Sequence, residues 1–401
     1  MSKIIAINSG SSSLKFKIFE MPEEKVISLG RVERIGFDEA ILNIDFNGQK
    51  ITKDIRTDRI IEIHDAVNAL AKALVEYGVI SDLSEIDAVG HRIVQGGSYF
   101  KDSVKVDDDV VKKVDELKIL APLHNPAHLI CYREFKKLFP DIDHVFVFDT
   151  AFLQTMEPES YLFPVPLEWY TKHQVRRYGA HGISHKFVAL RTAELMDKDL
   201  KDLNIITCHL GNGASITAIK DGICVNTSMG LTPLGGVMMG TRSGDLDPAI
   251  VFHMMKVLDI TADRMDYILN KQSGMLGISG ISSDARDVLE AADNGNEKAK
   301  IAIDIYANRI MNYIGAYAIQ LGHVDAITFT AGIAENSYLI REMIFKQISE
   351  LLGIEIDYDL NRRVFGSETK LSTENSKVQV YLIPANEELV IARDTQRILD
   401  L

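Results

Sequence analysis

The fold of this chain is decided first by the stretch Ile4-Ile-Ala-Ile7, Asn8-Ser-Gly-Ser-Ser-Ser-Leu-Lys15 and Phe16-Lys-Ile-Phe19. A short apolar strand runs into a polar glycine turn, and a second strand follows it. This order is typical of a β-hairpin. The turn also supplies backbone N–H groups, hydroxyl groups and a lysine, which together are suited to a phosphate group. The alternative is an ordinary Ser/Gly turn with no ligand.

The same plan recurs further along the chain. Ile205–Cys208 leads into His209-Leu-Gly-Asn-Gly213 and then into Ala214–Ile219. A third copy runs from Ala326–Thr330 into Ala331-Gly-Ile-Ala-Glu-Asn336, before a helical pattern over residues 338–352. We therefore predict two similar α/β lobes with a cleft between them. The spacing, rather than residue identity, suggests a duplication.

Length and composition agree with this organisation. A chain of 401 residues exceeds what one hydrophobic core usually supports. The net charge of −13 disfavours nucleic acid and anionic membranes as partners. No apolar run reaches 18 residues, and the N-terminal apolar run is too short for a signal peptide, so we expect a cytoplasmic protein. Three scattered cysteines do not form a disulfide framework.

Further elements follow from periodicity. Ile61–Tyr77 and Lys298–Leu321 have apolar residues at helical spacing, and Val145–Phe148 is typical of a buried strand. A last strand over Val378–Ile383 precedes a terminal helix. The segment Glu157–Trp169 contains three prolines and is interpreted as a connector, with the domain boundary near its start.

Two arginines lie among glycines, in Gly90-His-Arg-Ile-Val-Gln-Gly-Gly97 and in Met239-Gly-Thr-Arg-Ser-Gly-Asp245. Glycine lets the backbone approach a ligand, and the arginine fork suits carboxylate or phosphate. A surface ion pair is the alternative. No Gly-Lys-Ser/Thr triplet occurs, which excludes a Walker-type phosphate loop.

Carboxylates and histidines complete the candidates. Asp149 ends a buried strand, where a carboxylate commonly holds a metal or a proton, with helix capping as the alternative. Glu387-Glu388 also follow a strand and are candidate Mg²⁺ ligands, with ordinary charges at a helix N-terminus as the alternative. His124 and His128, like His181 and His185, have the i, i+4 spacing of zinc ligands. Pro126 and Gly182 interrupt that spacing and HExxH is absent, so zinc is disfavoured. A histidine that donates to a transferring phosphoryl group is the favoured interpretation.

Taken together, these segments resemble the acetate kinase family. The resemblance runs end to end in the expected order, and two of its motifs are long and specific. The matching segments are Asn8–Lys15, Met239–Asp245 extended to Asp247-Pro248, His209–Gly213, Ser283-Asp-Ala-Arg286 and Asn386-Glu-Glu-Leu-Val-Ile391.

The resemblance implies an α/β fold of two duplicated actin-like, ribonuclease H-like lobes with a central cleft. It implies a discontinuous N-terminal lobe (1–150 plus 386–401), a C-terminal nucleotide-binding lobe (151–385) and a homodimer. The implied reaction is the reversible, direct in-line transfer of the ATP γ-phosphoryl group to acetate, which gives acetyl phosphate and ADP.

The resemblance also implies roles for individual residues. Asn8 and Glu387 would hold Mg²⁺, with Mn²⁺ as an alternative. The catalytic residues would be Arg92, Asp149, His181 and Arg242. The acyl substrate would meet Arg92, Val94, Leu123, His124 and Pro233. The nucleotide would meet Lys15, His209, Leu210, Gly211, Asn212, Gly213, Asp284, Ala285, Arg286, Gly332, Ile333, Ala334, Glu335 and Asn336.

Some positions depart from the family pattern. Gln95 replaces a frequent histidine, Gly235 a frequent glutamate, and Ala331 and Ala334 two glycines. Ala180 stands beside His181 where phenylalanine is usual, which leaves propionate or butyrate as an alternative acyl acceptor. An ATP-driven conformational protein of the same superfold is the alternative from another functional class.

Overall fold

The computed structural model describes residues 1–10, 13–36, 40–54, 62–122 and 124–401. The chain separates into two compact units. Unit 1 contains Met1–Phe152 and Asn386–Leu401, and unit 2 contains Leu153–Ala385. The C-terminal segment thus returns to the unit in which the chain begins.

Unit 1 is built on a mixed sheet, which has eight strands within the described residues. Their order in space is β5-β4-β3-β2-β1-β6-β8-β7. Strands β1 and β2 pair antiparallel, which confirms the first hairpin, whereas β6 and β8 run parallel to β1. The strands are β1 (Ser2–Ser9), β2 (Ser13–Met21), β3 (Lys25–Glu33), β4 (Ile41–Phe46), β5 (Gln49–Asp54), β6 (Ala88–Ile93), β7 (Val104–Lys105) and β8 (Asp143–Phe148).

Four α-helices of the described residues pack in unit 1: α1 (Ile63–Glu76), α2 (Asp108–Glu116), α3 (Asn125–Leu138) and the C-terminal α15 (Glu387–Leu399). Helix α1 confirms the first helical pattern, because its apolar residues recur at helical spacing and are buried. Helix α15 lies directly on the sheet. A Cβ at Gly90 would come within 2.6 Å of both Thr395 and Ile391 side-chain atoms, so only glycine fits this contact.

Unit 2 repeats the same sheet plan, with the order β11-β10-β9-β12-β14-β13. Strands β9 and β10 pair antiparallel, which confirms the second hairpin, and β12 and β14 run parallel to β9. The strands are β9 (Asn204–Leu210), β10 (Ala214–Lys220), β11 (Ile223–Thr227), β12 (Ala326–Thr330), β13 (Thr369–Lys370) and β14 (Gln379–Leu382).

The helices of unit 2 include both long patterns read from the sequence. They are α4 (Pro158–Tyr161), α5 (Leu167–His173), α6 (Gly182–Leu195), α7 (Pro248–Leu258), α8 (Ala262–Lys271), α9 (Gly274–Ser279), α10 (Ala285–Asp293), α11 (Glu297–Leu321), α12 (Gly332–Asn336), α13 (Tyr338–Leu352) and α14 (Tyr358–Arg363). Helices α11 and α13 confirm the predictions. In the part of the chain that the structure describes, no helix combines the length and the apolar character that crossing a membrane requires.

The proline-rich segment differs from the prediction of a plain connector. Helix α4 lies inside it and α5 begins within it. Pro158 is the first residue of α4, a position where the missing N–H costs nothing. Proline therefore begins a helix in this segment as well as interrupting regular secondary structure.

The two faces of the unit 2 sheet differ in character. Ile206, Cys208 and Ile216 point into the main hydrophobic cluster. Because side chains alternate along a strand, their neighbours Thr207, His209, Ser215 and Thr217 share the opposite face, and all four are buried. Helix α6 covers this polar face through hydrogen bonds from its Ser184 and His185. The sheet thus has a buried polar seam at the end where the glycine turn begins.

Candidate active site

A charged cluster forms in unit 1 where parallel strands end. Asn8 lies in β1, Arg92 in β6, Asp149 follows β8, and Glu387 is the first residue of α15. The Asn8 amide donates to Glu387 Oε2 at 2.9 Å, and Arg92 donates to Asn8 Oδ1 at 3.0 Å and to Asp149 Oδ2 at 2.5 Å. We name these four residues the strand-end cluster. Carboxyl ends of parallel strands are a common place for ligand sites.

The electrostatics of the strand-end cluster favour a bound cation or anion. Burial raises the pKa of Glu387, although the nearby Arg92 charge opposes that shift. Burial also acts to lower the pKa of Arg92, but the carboxylates of Asp149 and Glu387 overcome it and raise that pKa. Arg92 Nε is buried and has no hydrogen-bond partner among the described residues. One guanidinium N–H is therefore left without a hydrogen-bond acceptor in this arrangement.

The donor set of the strand-end cluster fits a hard divalent cation. It offers two carboxylates and an amide oxygen, and Mg²⁺ is commonly held by one or two carboxylates together with substrate phosphates. A self-sufficient cage is not expected from such a set. The described residues contain no group of three or more His, Cys, Asp or Glu side chains that could hold a metal ion.

His128 fixes the backbone behind this cluster. Its Nδ1 accepts the Val94 N–H at 3.3 Å, so the ring proton is on Nε2, which donates to the Ser9 carbonyl at 3.0 Å. Burial, helped by the charges of Arg92 and His124, lowers the pKa of His128 to about 3. The ring is therefore a neutral tie between β1 and β6. His124 is exposed before α3, and Leu123 lies outside the described residues.

Among the nucleotide candidates, Lys15 belongs to unit 1. It is the register partner of Asn8 and is exposed on β2 of unit 1. With Lys17, Arg31 and Lys50 it lines a cavity of about 420 Å³ in that unit. The remaining nucleotide candidates all belong to unit 2.

In unit 2, His181 and Arg242 converge over Gly213. A Cβ at Gly213 would lie 2.6 Å from Arg242 Nη2 and 3.4 Å from His181 Nε2. Arg242 donates to the Pro233 carbonyl at 2.6 Å, and burial lowers the pKa of Arg242. The His181 ring stacks on His209 with centroids 4.1 Å apart. Glycine at position 213 is thus what allows the Arg242 and His181 side-chain nitrogens to approach the same backbone.

A cavity of about 600 Å³ lies next to this corner. Many of the predicted nucleotide residues line it: Gly211, Asn212, Asp284, Ala285, Arg286, Gly332, Ile333 and Asn336. Asp284 caps α10 and pairs with Arg286, whose hydrogen bonds lower the pKa of Asp284 to about 2. Mixed apolar and polar walls of this kind suit a nucleoside.

Other predicted nucleotide residues support the cavity from outside. His209, Leu210, Gly213, Ala334 and Glu335 do not line it. Glu335 Oε1 accepts the backbone N–H groups of Ala331 at 2.8 Å and Ala385 at 3.0 Å. Ala331 has φ 70° and ψ 166°, a backbone conformation that is essentially restricted to glycine. The alanine that replaces a family glycine is therefore strained.

Sequence reasoning missed one wall of the cavity. Leu289, Ser337, Tyr338, Leu339 and Phe365 complete the lining. Arg341 is fully buried and donates to the carbonyls of Ala334 at 2.6 Å and Val364 at 3.1 Å, so it joins two parts of this wall. A buried arginine inside an amphipathic helix is visible in the sequence only as a charge on the apolar side of α13. No motif marks Phe365.

Comparison with known proteins gives one consistent result. Residues 3–393 match the sequence profile of the Acetokinase family. "Acetate kinase" of Geobacillus kaustophilus is 51% identical over 401 residues and covers 100% of both chains, and that of Bacillus subtilis is 50% identical and covers 99% of this chain and 100% of its own.

Solved structures agree. The crystal structure of Porphyromonas gingivalis acetate kinase superposes with a TM-score of 0.93 at 44% identity, covering 100% of both chains. A propionate kinase from Francisella tularensis gives 0.92 at 40% identity, covering 99% of this chain and 100% of its own. The strand order, the strand-end cluster and these likenesses lead to one conclusion: the chain belongs to the acetokinase family.

Proposed function

We propose that this chain catalyses the reversible transfer of the ATP γ-phosphoryl group to acetate, giving acetyl phosphate and ADP. The observation that carries the proposal is the corner at Gly213. His181 and Arg242 meet there, and Gly211 and Asn212 of the same turn line the 600 Å³ cavity. A nucleotide in that cavity would direct its terminal phosphates toward two N–H donors.

The reaction that fits this geometry is a direct displacement. An acetate oxygen attacks the γ-phosphorus, the new P–O bond forms, and the bond to the ADP oxygen breaks. The attacking carboxylate is ionised at neutral pH, so no general base is needed. Arg242 and His181 stabilise the charge on the transferring oxygens, and Arg92 binds the carboxylate or acyl phosphate.

The strand-end cluster is assigned to the divalent cation of the kinase. We propose Mg²⁺, with Mn²⁺ as a substitute, held by Glu387 and the Asn8 amide oxygen, with Asp149 acting through it or its water ligands. The cation, when bound, neutralises phosphate charge. Unit 1 corresponds in this assignment to the N-terminal lobe (1–150 plus 386–401) and unit 2 to the nucleotide lobe (151–385).

The test is the trapping of acyl phosphate as a hydroxamate. With ATP, Mg²⁺ and hydroxylamine, acetate is expected to give hydroxamate at the highest rate in a series of C2 to C5 acids. Ala180, which suggested a wider acyl pocket, is buried in the main hydrophobic cluster of unit 2, so no described feature favours a longer acid. ATP hydrolysis without hydroxamate would overturn the proposed function.

We also propose a homodimer formed through α7. None of its residues is buried, and Ile250, Phe252, Val257 and Leu258 are exposed. The helix PAIVFHMMKVL contains no acidic residue, so a second copy can approach it without the repulsion expected from a chain of net charge −13. Light scattering should report a dimer, and Phe252→Asp should give a monomer. A monomeric parent protein would contradict the assignment.

A further inference from the structure

The polar seam beneath α6 contains a continuous line of hydrogen bonds. His181 Nδ1 lies 2.8 Å from Ser215 Oγ, and Ser215 Oγ lies 2.8 Å from His185 Nε2. His185 Nδ1 in turn lies 2.7 Å from Thr207 Oγ1. We name Thr207, His185, Ser215 and His181 the imidazole relay. Its inner three members are fully buried, so water does not compete for these bonds.

The number of protons in the relay restricts its arrangement. Ser215 has one hydroxyl proton, and among the described residues its Oγ bonds only the two ring nitrogens, so that proton has an acceptor only if Ser215 donates to one ring and accepts from the other. A neutral imidazole likewise has one donor and one acceptor nitrogen. The bonds of the relay must therefore all point the same way, either from Thr207 toward His181 or in reverse.

The inner end of the relay decides the direction. Among the described residues, His185 is the only hydrogen-bond partner of the Thr207 hydroxyl. If Thr207 donates, every proton of the relay has an acceptor: Thr207 to His185 Nδ1, His185 Nε2–H to Ser215, and Ser215 to His181 Nδ1. In the reverse direction the Thr207 proton is buried without an acceptor, which is unfavourable.

His185 meets the condition that this arrangement needs. Its ring is fully buried on α6, and burial, with the nearby His209, lowers its pKa well below the ordinary value. A neutral ring accepts one hydrogen bond and donates the other, so the bonds on its two sides run in the same direction along the relay. A protonated ring would instead donate to both hydroxyls. The relay then leaves His181 Nδ1 as an acceptor, so the ring proton is on Nε2.

We propose that Thr207, His185 and Ser215 are positioning residues that hold His181 as the neutral Nε2–H tautomer, with that N–H directed at the transferring phosphoryl group. Nε2 is the atom that faces Gly213 beside Arg242. The inference rests on the proposed function, because it specifies how His181 acts in it. His181 donates a hydrogen bond and transfers no proton, which agrees with a displacement in which no proton changes place.

The decisive measurement is the tautomer of His181 in the free enzyme. Protein labelled with ¹⁵N-histidine is examined by long-range ¹⁵N–¹H correlation, with His181→Gln used for assignment. The expected resonances are those of an Nε2–H tautomer, and Thr207→Val should shift them toward the Nδ1–H form. An Nδ1–H or doubly protonated His181 in the parent protein at pH 8 would overturn the proposal. This readout does not depend on turnover, so a failed hydroxamate assay would reject the proposed function separately.

Kinetics separate positioning from a general structural effect. Thr207→Val keeps the side-chain shape but removes the hydroxyl donor. We expect kcat to fall roughly tenfold or more, because a catalytic histidine in the wrong tautomer can lower kcat by as much as about 10⁴. KM for ATP should stay within about twofold, and Thr207→Ser should retain kcat because it keeps the hydroxyl.

A matched control is available on the neighbouring strand. Thr217 is the register partner of Thr207, is also buried, and bonds the Thr227 hydroxyl at 2.9 Å outside the relay. Thr217→Val should leave kcat unchanged. Equal losses of kcat in the two valine variants would mean that the Thr207 hydroxyl acts only through stability, and would contradict the relay.

Discussion

The two units use the same sheet for different chemistry. In each, three antiparallel strands are followed by two parallel ones and a short antiparallel strand: β3-β2-β1-β6-β8-β7 in unit 1 and β11-β10-β9-β12-β14-β13 in unit 2. Within the described residues, unit 1 differs by the added hairpin of β4 and β5 at its outer edge. Strand β1 therefore corresponds to β9, β6 to β12 and β8 to β14.

The residues at the corresponding strand ends differ. The ends of β1, β6 and β8 carry Asn8, Arg92 and Asp149, which bond one another. The ends of β9 and β12 carry Gly211 and Gly332, which line a cavity. The topology brings the same strand ends together in both units, and the residues that follow decide whether the site offers charge or space for a ligand.

The largest expected effect comes from the arginine of each unit. Arg92→Ala and Arg242→Ala should each lower kcat by on the order of 10³ or more, because a planar donor to a negatively charged transition state is lost. Lysine should not restore kcat at either position, since it lacks the fork. Arg397→Ala, which removes the ion pairs of an arginine of α15 with Asp102 and Asp394, is the control. Losses below tenfold at both sites would remove these arginines from the chemistry.

The next largest expected effect is that acid lowers the stability of unit 1 more than that of unit 2. In unit 1, burial is the main cause that lowers the pKa of His128 to about 3 and of His144 to about 4, and it lowers the pKa of His91 well below the ordinary 6.5. These rings bind protons only when unfolded, so the stability they contribute is complete above pH 6.5 and is lost as pH falls toward 4 and 3. At pH 5.5, one unit below the ordinary pKa, the loss is on the order of 1 kcal/mol for each ring.

Hydrogen exchange at pH 7 and pH 5.5 measures this difference. Amides of β6, β8 and α3 are expected to lose more protection than those of β9, β10 and α6, where His185 is the group with a lowered pKa. Greater loss in unit 2 would show that other carboxylates or histidines dominate acid unfolding.

Glu387→Gln tests whether metal dependence belongs to unit 1. The amide keeps the side-chain shape but lowers the ligand charge, and the Mg²⁺ concentration at half-maximal activity should rise about 10- to 100-fold. The adjacent Glu388 pairs with Lys17 at 3.1 Å, so Glu388→Gln is a matched control that should leave the titration unchanged. Identical Mg²⁺ titrations for both variants and the parent would exclude Glu387 as a ligand.

The smallest effect concerns the strained turn of unit 2. Ala331→Gly should raise the free energy of unfolding by about 1 to 2 kcal/mol, because its φ of 70° suits glycine alone. In a unit of this size that corresponds to roughly 2 to 4 °C in Tm per kcal/mol. Ala334→Gly makes the same exchange inside α12 and should instead destabilise by about 0.5 to 1 kcal/mol. Thermal unfolding of the pair checks the sign, and a lower Tm for Ala331→Gly would contradict the strain.

Local sequence patterns determined much of the fold. Both hairpins, β12 with α13, α1 and α11 follow from apolar periodicity and glycine turns, because each pattern acts over a few neighbouring residues. The proline segment misled the prediction, since proline ends some elements and begins others. The glycine motifs likewise indicated Gly211, Asn212 and Gly332 before any contact was known.

Tertiary structure alone decided which distant residues meet. Asn8 and Glu387 bond across 379 positions of the chain, although motif likeness had already named both. Phe365 in the cavity wall and the Thr207 and Ser215 hydroxyls that continue the line to His181 have no local signal, and Arg341 behind the wall shows only as a charge on the apolar side of α13. The physical reason is that alternation along a strand places Thr207 and Ser215 on one face, but only packing against α6 gives their hydroxyls a partner. Sequence periodicity determines which face of a strand a side chain occupies, and the tertiary structure determines which groups it contacts on that face.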